Sequence, residues 1–469
     1  MQYIALGETD EIGGSCHLLV AEGTGLMLDA GVHPDRDGLD GLPRIDLVQH
    51  RPELHVDHVL VTHAHHDHIG GLPVVLQRFP HALVHMTKAT RELSEFLLRA
   101  SARLQRRRQK ERLNAPPPLF SEEELEFYQY LYLAHDLDTP FSVAGVRGGG
   151  PISARFWHAG HVLGAAGVLL EFEEDGVPRR IVYSGDIHLR PQAITPAAQP
   201  PEGPVDVLIL ESTLGADPES ENTTRRTEED RLCDRLGEVL ARGGSVLVPV
   251  FALGRAQEML ALVQRFKDRG QIPADTPVYT AGSMRALAEI YDKTRLTTPR
   301  QDVGIVLGEI EQQRMPRNDS VIVGLLAEPS IFVLASGMMF ERTASNDLAQ
   351  YLVDQEKHGI FLVGFSKGGS PGDRLLQAAK LGASQGYPAE VVFDPNTGAQ
   401  EVVCMVERFR FSGHSHRRDL LGLVARLQPK KVILVHGETV AKEWMRDQIL
   451  HFHPETEVIF PVQGKAVEV

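Results

Sequence analysis

The sequence predicts an α/β fold of two lobes, the second of them a parallel sheet flanked by helices. Three observations predict it. Short apolar runs at residues 4–7, 15–20 and 26–28 are separated by glycine turns such as Gly13-Gly14 and Gly23-Thr24-Gly25, the pattern of packed strands. The apolar run 56–61 passes directly into Thr62-His63-Ala64-His65-His66-Asp67-His68-Ile69-Gly70-Gly71, so a strand ends where imidazoles and a carboxylate crowd together. From residue 244 onward apolar strands alternate with amphipathic helices, and that alternation implies parallel pairing.

With 469 residues the chain is long enough for two or three cores, at roughly 150 residues each. Hydrophobic residues at 42% and charged residues at 24% are ordinary for a soluble globular protein. No apolar run approaches the roughly 20 residues of a membrane span, and the start, Met1-Gln2-Tyr3-Ile4, lacks the basic residues and long apolar core of a signal peptide. Cys16, Cys233 and Cys404 are widely spaced and odd in number. They argue against a disulfide framework, fit a reducing, cytoplasmic setting, and read as small buried apolar residues. The net charge of −15 counts against a generic nucleic-acid binder, although a metal pair in a locally basic cleft still accommodates RNA.

In chain order, the strand 26–28 closes at Asp29-Ala30-Gly31, where the carboxylate is either a turn former or an orienting group. In the turn that follows the next strand, His63, His65, Asp67 and His68 have HxHxDH spacing. Neutral imidazole and carboxylate oxygen suit zinc, and a set without thiolate leaves the ion Lewis acidic. One ion would use His63 and His65, a second Asp67 and His68. Each set is incomplete, so the missing ligands must come from far along the chain. A merely solvated His-rich turn is the bland alternative, but beside an apolar strand it leaves polar groups buried without partners.

Residues 72–79 read as a short helix with Pro73 in its first turn, 82–86 as a strand and 88–133 as helical, with Leu93, Phe96, Leu97 and Leu104 on the apolar side. Arg106-Arg107-Arg108-Gln109-Lys110-Glu111-Arg112 is the strongest basic run, either a solvated face or a grip on phosphate. Asn114-Ala115-Pro116-Pro117-Pro118 breaks the helices. His158-Ala159-Gly160-His161 comes next, then a strand at 181–183 that runs into Ser184-Gly185-Asp186. An aspartate there can bridge two cations about 3.5 to 4 Å apart. His188 reads as an exposed histidine, and the apolar strand 205–210 ends in Glu211-Ser212-Thr213-Leu214-Gly215.

The second lobe opens with the strand 244–250, which leads into Phe251-Ala252-Leu253-Gly254-Arg255-Ala256-Gln257-Glu258 and a helix carrying Met259, Leu260, Leu262 and Val263. A strand at 278–279, a helix at 284–291 and strands at 331–334 and 361–363 continue the alternation. Ala335-Ser336-Gly337-Met338 and the glycine-rich stretch 364–374 follow strands. Such loops present N–H groups and a cation to phosphate, or are plain surface loops; Ser336, Lys367 and Arg374 are the candidate substrate contacts. Residues 402–411 read as a strand returning to the first lobe, ahead of Ser412-Gly413-His414-Ser415-His416. A strand at 431–435 presents His436-Gly437-Glu438, and a helix at 439–451 with a strand at 458–460 finishes the chain.

The run from His63 to His68 resembles the metal motif of the metallo-β-lactamase superfamily, and the later stretches resemble its β-CASP branch of nucleic-acid-cleaving enzymes, over nearly the whole chain. The resemblance implies an αββα sandwich (residues 1–211 and 399–469) with an inserted α/β β-CASP domain (212–398) and a cleft between them for RNA. It implies two zinc ions per chain, one held by His63, His65 and His161, the other by Asp67, His68 and His436, with Asp186 shared. By the same resemblance His158 is a neighbour, and Asp29 is the carboxylate that orients the metal histidines. Glu211 with its Ser-Thr, His414 and His436 match the branch's own motifs, and the wording F-A-x-G-R-A-Q-E is specific to it. Leu214 departs where relatives carry an aromatic, Met339-Phe340-Glu341-Arg342-Thr343 replaces paired glycines and a proline, and 364–374 diverges from a stretch usually ending in Gly-Arg. His416 falls where relatives vary. These departures bear on substrate preference.

On that resemblance the expected activity is a zinc-dependent ribonuclease on single-stranded RNA, expected to be an endonuclease, with 5′-exonucleolytic action left open. A water between the ions, its pKa lowered from about 15.7 toward about 7, attacks phosphorus in line, with Asp67 part of that machinery. His414, oriented and kept protonated by Glu211, gives the departing ribose oxygen its proton, an effect of about 10² to 10⁴ in rate. The products are 5′-phosphate and 3′-hydroxyl ends. His436 is typical of the RNA-cleaving members and generally absent from those of DNA repair. The competing readings are an ester or thioester hydrolase on the same metal core, a DNA nuclease, and an inactive RNA-binding relative. Glu211, His414 and the inserted lobe weigh against the first, and the complete ligand set against the last. Monomer and homodimer both stay open.

Overall fold

The computed structural model describes the whole chain apart from Pro52, residues 112–114, Val146, residues 148–149 and Arg317, together with the side chains of Ser220, Asp319 and Ser320. Arg112 of the basic run and Asn114 of the proline stretch therefore lie outside the described residues. The chain divides into two units: Met1–Pro191, Ala197–Pro218 and His414–Val469 form the first, Gln192–Pro196 and Glu219–Gly413 the second.

The first unit is a sandwich of two sheets, each of seven strands among the described residues. One runs Ala466–Glu468, Gln2–Ala5, His17–Ala21, Thr24–Leu28, His58–Leu60, Leu83–Thr87 and Tyr132–His135 in spatial order. The other runs Glu457–Ile459, Lys431–Val435, Val207–Glu211, Val177–Tyr183, Ala166–Glu174, Ile152–His158 and Phe141–Val143. Strand periodicity explains how one segment serves two cores. Val207–Glu211 is buried throughout. Its Val207 and Ile209 join Ile181, Tyr183, Ile433 and Val435 against Leu19, Leu26, Leu28 and Leu60 of the other sheet. Its Leu208 and Leu210 instead meet Leu420, Leu423 and Leu427 of the helix Arg417–Leu427 and Met445 and Ile449 of the helix Thr439–Phe452. On the far side the helix Lys88–Glu111 packs on Leu83–Thr87 and Tyr132–His135. The layers are helix, sheet, sheet, helix.

The second unit is built on a sheet ordered Gln313–Arg314, Val278–Thr280, Ile331–Leu334, Val246–Pro249, Gly359–Leu362 and Met405–Arg408. All its pairings are parallel. Central strands such as Ile331–Leu334 are buried on both faces, as helices on both sides of a parallel sheet require. Leu247, Phe332, Leu334, Ile360 and Leu362 pack with Leu348 and Leu352 of the helix Ala344–Leu352 and Leu375 of the helix Pro371–Gln385.

Two expectations are corrected. The stretch read as a strand returning to the first lobe lies in the second unit: Met405–Arg408 pairs with Gly359–Leu362, and Phe409 sits 5.3 Å from Phe361, ring to ring. These aromatics belong to the second unit, and the chain re-enters the first unit only at His414. The helical stretch also ends sooner than expected. After the helix Glu122–Tyr128, capped by the reciprocal Ser121 and Glu124 bonds, a single 3-10 turn leads into Tyr132–His135, which extends the first sheet beside Leu83–Thr87. All three cysteines are buried and free. Among the described residues no helix is long and apolar enough to cross a membrane.

Candidate metal centre

Every candidate metal ligand sits just beyond the C-terminal end of a strand of the first unit. His63, His65, Asp67 and His68 follow His58–Leu60; His161 follows Ile152–His158, Asp186 follows Val177–Tyr183, and His436 follows Lys431–Val435. The chain turns back sharply at these ends. His436 adopts a left-handed φ of 49°, a cost that L residues accept mainly at functional positions. Gly31 approaches the metal turn so closely that a Cβ there would lie 1.7 Å from the Asp67 carbonyl oxygen. The turn is held by N–H groups of Ser15 and Ala30, which donate to the carbonyls of Asp67 and His68 at 2.7 and 2.8 Å.

These turns bring the expected residues together. His63 Nε2 and His161 Nε2 approach His65 Nδ1 at 3.0 and 3.1 Å, close to the spacing of about 3.3 Å between two nitrogens on one tetrahedral zinc. The same two atoms lie 3.6 and 3.5 Å from Asp186 Oδ2. On the other side, His68 Nε2 is 3.5 Å and His436 Nδ1 3.3 Å from Asp186 Oδ1, while His436 Nε2 is 3.5 Å from Asp67 Oδ2. One ligand atom from each of His63, His65, His161 and Asp186 lies within 4.8 Å of the others, and the same holds for Asp67, His68 and His436.

The donor set fits a divalent metal. His68 Nε2, His436 Nε2 and Asp186 Oδ1 are buried without a hydrogen-bond partner among the described residues, and an orphaned buried polar atom costs about 1–3 kcal/mol. Burial works against charge on the carboxylates, yet the surrounding imidazoles hold Asp186 and Asp67 well below the usual carboxylate range. Burial, with His68 nearby, holds His63 well below the ordinary histidine value, neutral and with a lone pair to give. At His68 burial is outweighed by Asp186 and Asp29, which hold the ring well above it. The site demands positive charge, as a proton or as a cation in its place.

Two further carboxylates stand behind the histidines. Asp29, itself at φ 59°, accepts from Thr62 N–H at 2.7 Å and Thr62 Oγ1 at 2.8 Å, and lies 2.8 Å from His68 Nδ1. Glu211 accepts the Ile187 N–H at 2.8 Å and lies 2.9 Å from His414 Nδ1. His414 Nε2 then faces Asp186 Oδ2 at 3.9 Å.

A family model described as the metallo-beta-lactamase superfamily matches residues 9–219, one described as the Beta-Casp domain matches 256–375, and one described as the Zn-dependent metallo-hydrolase RNA specificity domain matches 400–461. The chain carries a metallo-beta-lactamase domain and a Beta-Casp domain. Similar proteins include the endoribonuclease ysh-1 of Neurospora crassa, 28% identical over 97% of this chain and 54% of its own length. The cleavage and polyadenylation specificity factor 73 of Drosophila melanogaster is 28% identical over 93% and 60%, and the endoribonuclease YSH1 of Saccharomyces cerevisiae 27% identical over 93% and 54%. The chain spans about half the length of the curated relatives it matches. A crystal structure of a protein of unknown function from Enterococcus faecalis shares the fold over the full length of both chains, with TM-score 0.53 and 15% identity.

Several residues around the site were missed by sequence reasoning. His188 is 6% exposed, not an exposed histidine, and its Nδ1–H donates to the His414 carbonyl at 3.0 Å. Thr213 Oγ1 lies 3.1 Å from His436 Nδ1, Ser184 Oγ receives the Glu211 N–H at 3.1 Å, and Ser415 Oγ bonds both Ile187 and Leu189. The only advance signal was the Ser-Thr pair beside Glu211. His158 does not enter a ligand group, and His416 is the N-cap of Arg417–Leu427. The substrate candidates Ser336, Lys367 and Arg374 lie in the second unit. Arg374 donates to the carbonyls of Gly369 and Val392, so its guanidinium pins the glycine-rich loop. In the basic run Arg108 pairs with Asp37 at 3.1 Å and Arg107 with Glu111 at 3.6 Å.

Proposed function

We propose that the chain is a zinc-dependent endoribonuclease that hydrolyses phosphodiester bonds of single-stranded RNA to 5′-phosphate and 3′-hydroxyl ends. The observation that carries the reading is His414, backed by Glu211 at 2.9 Å and turned toward Asp186 beside the ligand groups. An ester hydrolase on the same metals has no need of that pair.

His63, His65 and His161 would hold one zinc, Asp67, His68 and His436 a second, with Asp186 serving both. When bound, such a pair supplies Lewis acidity toward phosphoryl oxygen and lowers the pKa of water toward about 7. Asp67, held ionised, orients the attacking water by accepting its hydrogen bond. His414 carries a proton at neutral pH and delivers it from Nε2 to the departing 3′ oxygen, and Glu211 keeps the ring in the orientation that puts Nε2 forward. Asp29 does the same for His68. The similarity to endoribonucleases over nearly the whole chain supports RNA as the substrate.

The test is cleavage of a 5′-labelled RNA oligonucleotide, with and without a chelator, beside a matched DNA and a panel of thioesters. Chelator-sensitive internal cuts in RNA alone, with 5′-phosphate on the downstream product, are expected. Thioester hydrolysis without RNA cleavage would overturn the proposal.

A further inference from the structure

A line of buried polar side chains runs from the candidate metal centre into the apolar space between the two sheets of the first unit. Asp29 Oδ2, 2.8 Å from His68 Nδ1, is also 2.8 Å from the Tyr183 hydroxyl. That hydroxyl lies 3.0 Å from Ser15 Oγ, Ser15 Oγ lies 3.2 Å from His17 Nε2, and His17 Nδ1 lies 2.8 Å from the Tyr3 hydroxyl. Tyr3, Ser15, His17, Asp29 and Tyr183 are each at most 4% exposed. Both tyrosine rings belong to the core between the sheets.

The direction of each bond follows from counting hydrogens. A carboxylate only accepts, so Tyr183 donates to Asp29. Its one hydrogen is spent, and its oxygen must accept from Ser15. The serine hydrogen is spent in turn, so Ser15 accepts from Nε2–H of His17. A neutral His17 then offers Nδ1 to the Tyr3 hydroxyl, and burial keeps it neutral by pushing its pKa down to about 3, with His68 and His436 adding to the effect.

Every hydrogen on the line points toward Asp29. Bonds aligned in this way polarise one another, and they fix the Asp29 carboxylate in place as an acceptor. Asp29 Oδ2 in turn accepts from His68 Nδ1–H, which directs His68 Nε2 toward Asp186 at 3.5 Å. Tyr183 also ties the line to the other side of the site, since it lies on the strand Val177–Tyr183 that delivers Asp186.

We propose that Tyr183, Ser15, His17 and Tyr3 form a polarised relay that positions His68 through Asp29 and sets how tightly Asp67, His68 and His436 hold a cation. They are positioning residues, and the inference rests on the metal reading given above. Tyr183→Phe keeps the ring and removes the hydroxyl that joins Asp29 to Ser15. Ser15→Ala breaks the line one step further out, and Tyr3→Phe removes its far end.

The experiment is zinc binding by the full chain in competition with a chromophoric chelator, with the melting temperature of the metal-stripped protein measured beside it. Tyr183→Phe is expected to weaken one of the two ions about 10- to 100-fold, the usual effect of losing a group behind a metal ligand, while the other keeps its wild-type affinity. Ser15→Ala should weaken the same ion less, and Tyr3→Phe least. Should Tyr183→Phe fail to fold, the ranking of Ser15→Ala over Tyr3→Phe decides. A lower melting temperature with unchanged affinity for both ions, equal weakening of both, or a larger effect at Tyr3 than nearer the site would each overturn the relay. Zinc-loaded wild-type protein that cuts no RNA would overturn the proposed reaction and leave the chelator result standing.

Discussion

His414 Nδ1 lies 2.9 Å from Glu211 Oε2, and its Nε2 faces Asp186 Oδ2 at 3.9 Å. Burial opposes charge on this ring, but Glu211 and Asp186 outweigh it and push its pKa up to about 9. The ring therefore holds a proton to give at neutral pH without belonging to the His63 or Asp67 ligand groups. His414→Ala should keep its metal and lose about 10² to 10⁴ in turnover, the range for general acid catalysis, whereas Asp186→Ala should lose metal and activity together. Metal analysis beside RNA cleavage rates checks this, and equal metal loss in the two variants would end the division of labour.

Glu211→Gln should keep the ring near its place, because an amide oxygen still accepts from Nδ1–H, while the charge is lost. A neighbouring carboxylate favours the imidazolium, and in the proposed reaction the acid form is the one that works. Activity falls where rising pH strips that proton, so the alkaline limb of the rate profile should move to lower pH in the variant. A limb that stays in place would show that Glu211 orients His414 without holding its proton.

Metal removal should destabilise the first unit. A ligand bound only by the folded chain adds RT ln(1 + [L]/Kd), about 4 kcal/mol at a thousandfold excess over Kd. His68 Nε2, His436 Nε2 and Asp186 Oδ1, buried without a hydrogen-bond partner among the described residues, would gain one in this way. A chelator should lower the melting temperature of the wild type and leave that of Asp186→Ala unmoved; the same chelator shift in both proteins contradicts the assignment.

How much of this was legible differed from residue to residue for physical reasons. The turn from His63 to His68 announced itself because four potential ligands in six residues beside an apolar strand have no cheap structural use. His161, Asp186 and His436 stand alone at strand ends, each an ordinary turn residue by itself, and only the resemblance assembled them. Tyr183, His17 and Ser15 were invisible, since one polar residue in an apolar strand carries no sign of its partner across the sandwich. One fold signal went unread. Asp175-Gly176, both at positive φ, is the two-residue turn that right-twisted strands favour, and it joins Ala166–Glu174 to Val177–Tyr183. The charged residues Glu171, Glu173, Arg179 and Arg180 masked that hairpin, although Arg180 pairs with Glu171 at 3.0 Å directly across it. The segment 405–408 misled for another reason, because Met405-Val406-Glu407-Arg408, half apolar and half charged, is followed by aromatics and fits either sheet equally well.

The Phe251-to-Glu258 wording, specific but without a role in the sequence, is scaffolding. Glu258 is 1% exposed and accepts the N–H groups of Ala193, Ile194 and Thr195 at 2.6, 3.1 and 3.1 Å. Arg255 donates to Gln192 and to the Phe411 carbonyl. Together they fasten residues 192–196 to the second unit. Glu258→Ala strands three buried donors at about 1–3 kcal/mol each, so a loss of about 3 kcal/mol or more in denaturant unfolding is expected. A loss under about 1 kcal/mol, the level of an ordinary surface change, would mean the segment finds other partners.

His358 sets an acid limit on the second unit that is independent of metal. It is fully buried, and its Nδ1 accepts the Ser245 N–H at 2.9 Å, which a protonated ring cannot do. Burial, with Lys357 beside it, pushes its pKa down to about 4 from an ordinary 6.5. The unfolded chain binds this proton more readily than the folded one, so stability falls wherever the two differ. The contribution is complete above pH 6.5 and is lost as pH falls toward about 4. His85, pushed down to about 3 by burial and then by His58 and His135 beside it, extends the loss further in the first unit. In His358→Gln the amide oxygen can take the Ser245 N–H but gains no charge in acid. Its denaturant midpoint should fall less steeply than the wild type's between pH 6.5 and 4 in metal-stripped protein, and parallel curves would show that the His358 proton is not what the acid limb titrates.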